Sequence, residues 1–326
     1  MKKREIGTIL LIALIGAILL FPLFGLIFEY LVIDPRKGLR LFWMTLADPA
    51  FLSALRFTLW QASLSVIGSL LLGIPAAWLL AKHRIPGKGL IYALLTIPMM
   101  LPVIMAVLSF VILYGENGLL NEFLRFLGKA AGIEFPRLEL LYSMRGIVLC
   151  HLFYNAPIVA KIVGRAWERL GIAEEEAAVT LGASPWRCWW SVTLPKLTPA
   201  ILSAAAITFV FCFTSFAIPL ILGGKPSLAT LEVLIFEQAR LFLNLPRAIA
   251  LSLIELSIAT LFFFLSSRAY ERADIDLLPS RMASRLPADQ LSAVRFVSLI
   301  VIALFFSMLV FSPLAAMLIS ALREMM

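Results

Sequence analysis

Residues 170–195 read LGIAEEEAAVTLGASPWRCWWSVTLP, and the chemistry of this stretch predicts its local structure. The acidic residues at 174–176 suit the first turn of a helix, where the helix dipole favours negative charge. Gly182 predicts the end of that helix. Ser184 is a typical cap for a second helix, which we expect Pro195 to limit. The sequence therefore predicts two short helices joined by a glycine bend.

Long apolar runs flank this loop on both sides. A helix that spans a bilayer needs roughly 20 mainly apolar residues, and seven runs along the chain meet this requirement. Helices are favoured because a spanning segment must satisfy its backbone polar groups internally, and the runs are too long and continuous for barrel strands. We predict an all-α, polytopic transmembrane helical bundle. The predicted spans are 6–32, 59–81, 90–114, 146–163, 200–222, 248–265 and 296–318.

The composition supports the same class of protein. Hydrophobic residues make up 61% of the 326 residues, and the mean hydropathy is +0.97. A soluble globular chain is nearer half apolar, so this chain has more apolar surface than a water-soluble core hides. Charged residues make up 15% and lie between the apolar runs. The net charge of +8 therefore indicates membrane topology and not nucleic-acid binding.

The sequence lacks the patterns that would indicate chemistry. Cys150, Cys188 and Cys212 share no metal-ligand or redox spacing, and we expect them to pack as apolar residues. The chain contains no Gly-x-x-x-x-Gly-Lys-Ser/Thr phosphate loop, no His-Glu-x-x-His and no Gly-x-Ser-x-Gly. We predict no catalytic residue, no metal site and no cofactor, so any ATP hydrolysis must come from another chain.

The positive charges predict the orientation. Residues 2–4 are basic and precede an apolar run that is too long for a signal peptide, so we expect a retained first span with a cytoplasmic N-terminus. The basic loop 82–88 and the 170–195 loop then lie in the cytoplasm. Two mixed segments, 119–131 and 228–242, are short and charged for spans, and we expect interfacial or mouth-lining helices on the outer side.

The 170–195 loop resembles the EAA loop of binding-protein-dependent ABC importer permeases. That pattern is Glu-Ala-Ala, three residues, Gly, nine residues, an aliphatic residue, one residue and Leu-Pro. The positions that match in this sequence are Glu176, Ala177, Ala178, Gly182, Val192, Leu194 and Pro195. In the family this loop sits in a groove of the ATPase subunit, which implies the same role for these residues.

The resemblance extends over about 56–272 and is strongest to the thiamine and ferric-iron permease group. It rests on the stretches 56–62, 149–157, 211–217 and 222–224. It implies the type I ABC importer permease fold in the bacterial inner membrane, and thiamine or ferric iron as the solute. The implied partners are an ATPase dimer, a second permease half (a separate chain or a homodimer), a substrate-binding protein and membrane lipid.

The family usually fuses two permease halves in one chain, and this sequence resembles the N-terminal half. We divide the chain into a first helix with an outer segment (1–50), a permease core with the 170–195 loop (51–272), and a cytoplasmic linker with a seventh span (273–326). The last span repeats features of the first and suits the start of a second half.

Polar residues inside predicted spans are candidates for a transport pathway, because charge at membrane depth is costly. Glu255 is predicted to line the pathway or to pair with a basic residue such as Lys161. Asn155, Thr214 and Ser215 are further pathway candidates, although such groups also bond to neighbouring helices without any transport role. His151 is expected to be a structural histidine.

Two other classes of function remain open at this point. A membrane-embedded enzyme would need clustered catalytic residues, which the sequence does not offer. A passive channel or facilitator, or a membrane scaffold without ATP coupling, would need no coupling loop. The match at 170–195 therefore favours the ATP-driven permease.

Overall fold

The computed structural model describes residues 35–83, 87–170, 173–223 and 228–274, with isolated positions between 14 and 28 and between 311 and 322. The regular elements of the four continuous ranges are helical. The α-helices are α1 (Pro35–Leu46), α2 (Pro49–Lys82), α3 (Lys88–Leu94), α4 (Ile97–Met100), α5 (Val103–Tyr114), α6 (Leu119–Ala131), α7 (Met144–Arg169), α8 (Ala173–Thr180), α9 (Pro185–Cys188), α10 (Leu194–Phe213), α11 (Ala217–Gly223), α12 (Leu231–Phe236) and α13 (Leu245–Asp274). Two π-helical turns, Trp189–Thr193 and Glu237–Leu241, complete the set.

Five helical segments of the described ranges are long and apolar enough to cross a membrane. They are Pro49–Lys82, Val103–Ala131, Met144–Arg169, Pro185–Phe213 and Leu245–Phe264. The all-α membrane bundle predicted from the sequence is confirmed. The predicted spans 6–32 and 296–318 lie mostly outside the described residues, as does most of the 273–326 segment.

Helix α7 is the centre of the bundle. In its most apolar window 67% of residues are buried, against 28–39% for the other four segments. Its most extensive contacts are with α2, and the two helices approach closely at Gly73. A Cβ atom at Gly73 would lie 2.5 Å from Val159 Cβ and 2.9 Å from the Ala156 carbonyl oxygen. Glycine is therefore needed where the two backbones meet, as in other membrane helix pairs.

Two predicted spans are interrupted. The predicted span 90–114 is divided into α3, α4 and α5, and Leu101 is extended (ψ 136°) at the second break. Proline disfavours helical backbone in the preceding residue, and Pro102 follows Leu101.

The predicted span 200–222 ends early. It is divided into α10 and α11 by a non-helical segment that begins at Thr214. An uninterrupted helix would press the Pro219 ring against the carbonyl of Ser215, so the chain breaks there.

The remaining segments agree with the sequence more closely. The helix predicted at 119–131 is α6. The segment 228–242 forms α12 and the π-helical turn Glu237–Leu241. The interfacial position predicted for both segments stays a prediction.

The two ends of the bundle are stabilised by different contacts. At one end Asp48 caps α2 by accepting a hydrogen bond from the Ala50 amide (2.8 Å), and it also forms an ion pair with Arg247 near the start of α13. The 170–195 loop lies at the other end, beside Lys82 at the last turn of α2. We call these the capped end and the loop end.

Candidate functional site: the 170–195 loop and polar groups of the bundle

The backbone of the 170–195 loop follows the predicted pattern up to its second helix. Helix α8 ends in a Schellman motif. The Gly182 amide donates to the Val179 carbonyl (2.9 Å), and the Ala183 amide donates to the Ala178 carbonyl (2.9 Å). Gly182 has φ +83°, which glycine adopts without strain. Ser184 then caps α9 by accepting from the Arg187 amide at 3.3 Å. The predicted glycine bend between two helices is confirmed.

The prediction that Pro195 limits the second helix is wrong. Helix α9 passes through the π-helical turn Trp189–Thr193 directly into α10, so Pro185–Phe213 is one apolar helical segment. The Leu194 amide donates to the Trp189 carbonyl, five residues back. Pro195 follows the π-helical turn, where bonds five residues back shift the hydrogen-bond register at the position that has no N–H to donate.

The loop presents polar and apolar groups to solvent together. Glu176 and Ala177 are exposed, and Ala178 is half-buried. Large apolar side chains beside them are also exposed: Leu181 by 88% and Trp186 by 70%. Exposed apolar surface of this kind, flanked by charge, marks a contact site.

The three other positions of the EAA-like pattern lie further along the loop. Val192 and Leu194 are half-buried and Pro195 is exposed. Val192 belongs to the π-helical turn and Leu194 opens α10. These positions therefore form the connection between the loop and the bundle.

Glu175 attaches the loop to two membrane helices, a role that the sequence pattern does not predict. One of its carboxylate oxygens, Oε1, accepts a hydrogen bond from Thr193 Oγ1 at 2.7 Å. The other, Oε2, forms an ion pair with Lys82. Lys82 is 93 residues away along the chain, so no local pattern connects the two. The acidic run at 174–176 was the available signal, but it does not distinguish Glu175 from its neighbours.

Other contacts fix the loop end of the bundle. The indole rings of Trp167 and Trp189 stack at 5.2 Å between centroids, which joins the end of α7 to the π-helical turn. Glu168 forms an ion pair with Lys88 and accepts a hydrogen bond from the Tyr92 hydroxyl at 3.0 Å. The two Glu168 contacts hold α7 against α3, and none of the three contacts involves α8.

The structure separates the pathway candidates. Glu255 (4% exposed) and Asn155 (2%) are buried inside the bundle, whereas Thr214 is exposed and Ser215 half-buried. Asn155 donates to the His151 carbonyl at 2.9 Å. Thr214 and Ser215 lie at the break between α10 and α11, and neither is near enough to Glu255 to bond to it.

The pairing of Glu255 with Lys161 does not form. Lys161 Nζ donates to Thr96 Oγ1 at 3.1 Å. Glu255 Oε1 is buried without a hydrogen-bond partner among the described residues. Its electrostatic neighbour is another carboxylate, Glu232 of α12.

His151 bridges three parts of the bundle, as expected of a structural histidine. Its Nδ1 lies 3.0 Å from Ser65 Oγ of α2. Its Nε2 lies 3.0 Å from Ser215 Oγ at the break after α10. The ring is 2% exposed. The cysteines behave as expected too: Cys150, Cys188 and Cys212 are free thiols, all buried.

An open cavity of about 730 Å³ lies along the face of α2 near the capped end, and its lining residues all belong to this helix. Arg56 and Trp60 are on its wall, with Leu52, Ser53 and Ser63. The stretch 56–62 carries part of the family resemblance, but no local pattern in it marks Arg56. A cationic side chain on a membrane helix is uncommon and is a candidate contact for a solute.

The helical bundle and its exposed helix–glycine–helix loop define a polytopic membrane protein of the permease type. Residues 69–274 match the family described as "Binding-protein-dependent transport system inner membrane component". This chain belongs to that family, which consists of transport components and not enzymes.

Relatives with a named transport system support this membership. The chain is 32% identical over 268 residues to the thiamine transport system permease protein ThiP of Brucella abortus, covering 82% of this chain and 48% of ThiP. It is 29% identical over 284 residues to the sulfate transport system permease protein CysT of Escherichia coli, covering 86% of this chain and 94% of CysT. The chain spans about half the length of the thiamine relatives it matches.

Solved structures share the fold. A bacterial ABC transporter involved in the import of the acidic polysaccharide alginate matches with a TM-score of 0.65 at 17% identity, covering 83% of this chain and 96% of that chain. A second structure of an alginate transporter, in complex with a pentasaccharide-bound periplasmic protein, gives a TM-score of 0.67 at 16% identity and covers 83% and 95%. The predicted importer permease fold is confirmed.

Proposed function

We propose that this chain is a membrane-spanning permease subunit of an ATP-driven importer and that its 170–195 loop docks on the ATPase subunit. The observation that carries the proposal is the exposed helix–glycine–helix loop at one end of a five-segment bundle. The family membership and the full match of this loop to the EAA pattern support it. The N-terminus and the loop are then cytoplasmic.

The surface of the loop suits a groove in a partner protein. Small side chains at Ala177 and Ala178 allow close approach of a backbone, and Gly182 fixes the angle between α8 and the following helix. Leu181 and Trp186 supply the apolar anchors that hot spots need. Glu176 supplies a charge for a basic partner.

Transport then follows from two conformations of the bundle. Nucleotide binding to an ATPase dimer favours one conformation, and hydrolysis favours the other. A second permease half, on a separate chain or another copy of this one, completes the pore, and a substrate-binding protein delivers the solute at the capped end. The candidates for contact with the solute are Glu255, Asn155, Thr214 and Ser215.

We infer thiamine as the first candidate solute. The named thiamine relatives support a cationic solute, and the buried Glu255 side chain is a candidate to contact it. Sulfate is the second candidate, supported by CysT and by Arg56 on the open cavity. Ferric iron, the alternative from the sequence resemblance, stays a prediction without support from these relatives.

The docking step is tested by Ala177→Arg in the full chain, coexpressed with a candidate ATPase subunit that copurifies with the wild-type chain. A long cation at this exposed, small position blocks close approach, so the ATPase no longer copurifies and ATP-dependent uptake into proteoliposomes stops. Uptake is measured with radiolabelled thiamine and, in parallel, sulfate. Ala131→Arg is the matched control, because Ala131 is also an exposed helical alanine but lies on α6. Copurification that survives Ala177→Arg contradicts the proposal.

A further inference from the structure

We propose that Glu175 is the positioning residue through which the 170–195 loop moves α2. This inference rests on the proposed function, since it names how motion at the ATPase contact reaches a particular membrane helix. It concerns a residue outside the EAA-like pattern. Glu175 immediately precedes Glu176, the first residue of that pattern, and has a different environment.

Covalent connection alone does not link the loop to α2. The loop continues directly into α10 and follows α7, so these two helices move with it. Helix α2 ends at Lys82, far earlier in the sequence. A displacement of α8 reaches α2 through side-chain contacts, either directly or by way of α7 and α10, which pack on α2.

Glu175 makes such a contact on both sides. Its Oε2 pairs with Lys82, the last residue of α2, and its Oε1 accepts from Thr193, the last residue of the π-helical turn. The side chains of Glu175 and Lys82 are only 21% and 25% exposed. Partial burial strengthens a charge pair relative to one in open solvent. One carboxylate therefore holds α8, α2 and the base of α10 in a fixed relation.

Its neighbour cannot do the same. The Glu176 side chain is exposed and makes no side-chain hydrogen bond within the described residues. The two glutamates therefore have different roles. Glu176 is exposed and free to contact a partner protein, whereas Glu175 contacts the bundle. Helix α2 also packs more extensively on α7 than any other pair packs, so a displacement of Lys82 is carried along the bundle.

The test follows α2 directly and needs no knowledge of the solute. A spin label is placed at Ser53, exposed near the capped end of α2, and in a second series at Leu202, exposed on α10. The native cysteines are buried and do not compete for the label. Label mobility is measured in the full permease–ATPase complex before and after adding ATP with vanadate.

We expect Glu175→Gln to shift the ATP-dependent equilibrium that the Ser53 label reports by about 5-fold or more, the lower end of typical coupling between sites. The change at Leu202 persists, because α10 is covalently continuous with the loop. Thr193→Val removes the other half of the contact and reduces the Ser53 change as well. The double exchange Lys82→Glu with Glu175→Lys restores the ion pair and recovers part of the signal.

Glu168→Gln is the matched control. It removes an ion pair at the same end of the bundle, but one that does not touch α8. An unchanged Ser53 response in both Glu175→Gln and Thr193→Val overturns the inference, as does an equal loss in Glu168→Gln. A wild-type complex that shows no ATP response at either label contradicts the proposed function itself, so the two failures are distinguishable.

Discussion

Adding one methyl group at Gly73 tests the packing at the centre of the bundle. In Gly73→Ala the new Cβ would lie 2.5 Å from Val159 Cβ, 2.6 Å from Val159 Cγ1 and 2.9 Å from the Ala156 carbonyl oxygen. Optimal carbon–carbon separations are about 3.5–4.0 Å, so all three contacts are strongly repulsive. The nearest atoms belong to a branched side chain and to backbone, and neither can turn aside.

Two opposing terms set the size of the effect. Overpacking a core by a methyl group costs about 1–3 kcal/mol. Replacing glycine by alanine within a helix gains about 1 kcal/mol. Because the contacts are far too short, we place the cost near the top of its range and expect a net loss of about 1–2 kcal/mol. In a chain of 326 residues that lowers Tm by about 1.5–3 °C, at about 1.5 °C per kcal/mol.

The assay is thermal unfolding of the purified protein in detergent. Gly89→Ala is the control, because a Cβ there meets no atom within 4 Å and the residue is exposed. In a Val159→Gly background the two shortest contacts vanish, so Gly73→Ala costs less than it does in the native chain. If Gly73→Ala unfolds at or above the wild-type temperature, as Gly89→Ala should, the close approach of α2 and α7 is wrong.

Three further changes have expected outcomes. Asp48→Asn keeps the helix cap but loses the ion pair with Arg247, whereas Asp48→Ala loses both and costs about 1 kcal/mol more; equal melting temperatures for the two variants would contradict the cap. Burial raises the pKa of the Glu232 carboxyl on α12, outside the five spans. The folded state thus holds this proton more tightly than the unfolded chain, stability falls as pH rises above the ordinary carboxyl range, and Glu232→Gln flattens that fall in melting curves between pH 4 and pH 7. Glu255→Gln inserts and folds normally but loses ATP-dependent uptake of thiamine; normal uptake would remove Glu255 from the pathway candidates.

The sequence predicts those features of the fold that depend on local chemistry. Apolar run length locates part of each of the five described spans, because lipid imposes one requirement on every crossing segment. The runs 90–114 and 200–222 overlap Val103–Ala131 and Pro185–Phe213 only in part. Gly182 and Ser184 predict the bend in the 170–195 loop, because a positive φ and a helix cap each need a particular residue type. These inferences need no knowledge of distant contacts.

What the sequence does not predict depends on the path of the chain in three dimensions. The expectation that proline limits a helix was wrong at Pro195, where a π-helical turn lets the helix continue. The predicted span 90–114 in turn missed the break before Pro102. Glu175 and Lys82 carry opposite charges, but so do many pairs in this chain, and only the fold brings these two together. The same holds for Lys161, whose partner is Thr96 and not Glu255.

The continuity of α9, the π-helical turn and α10 has a mechanical consequence. Helix α10 has 20 residues and is therefore about 30 Å long, at about 1.5 Å per residue. If α10 pivots at the π-helical turn by about 10°, its far end at Phe213 moves by about 5 Å. That distance is about the pitch of one α-helical turn. Thr214 and Ser215 follow this end in a non-helical segment, so α11 is not forced to move with α10.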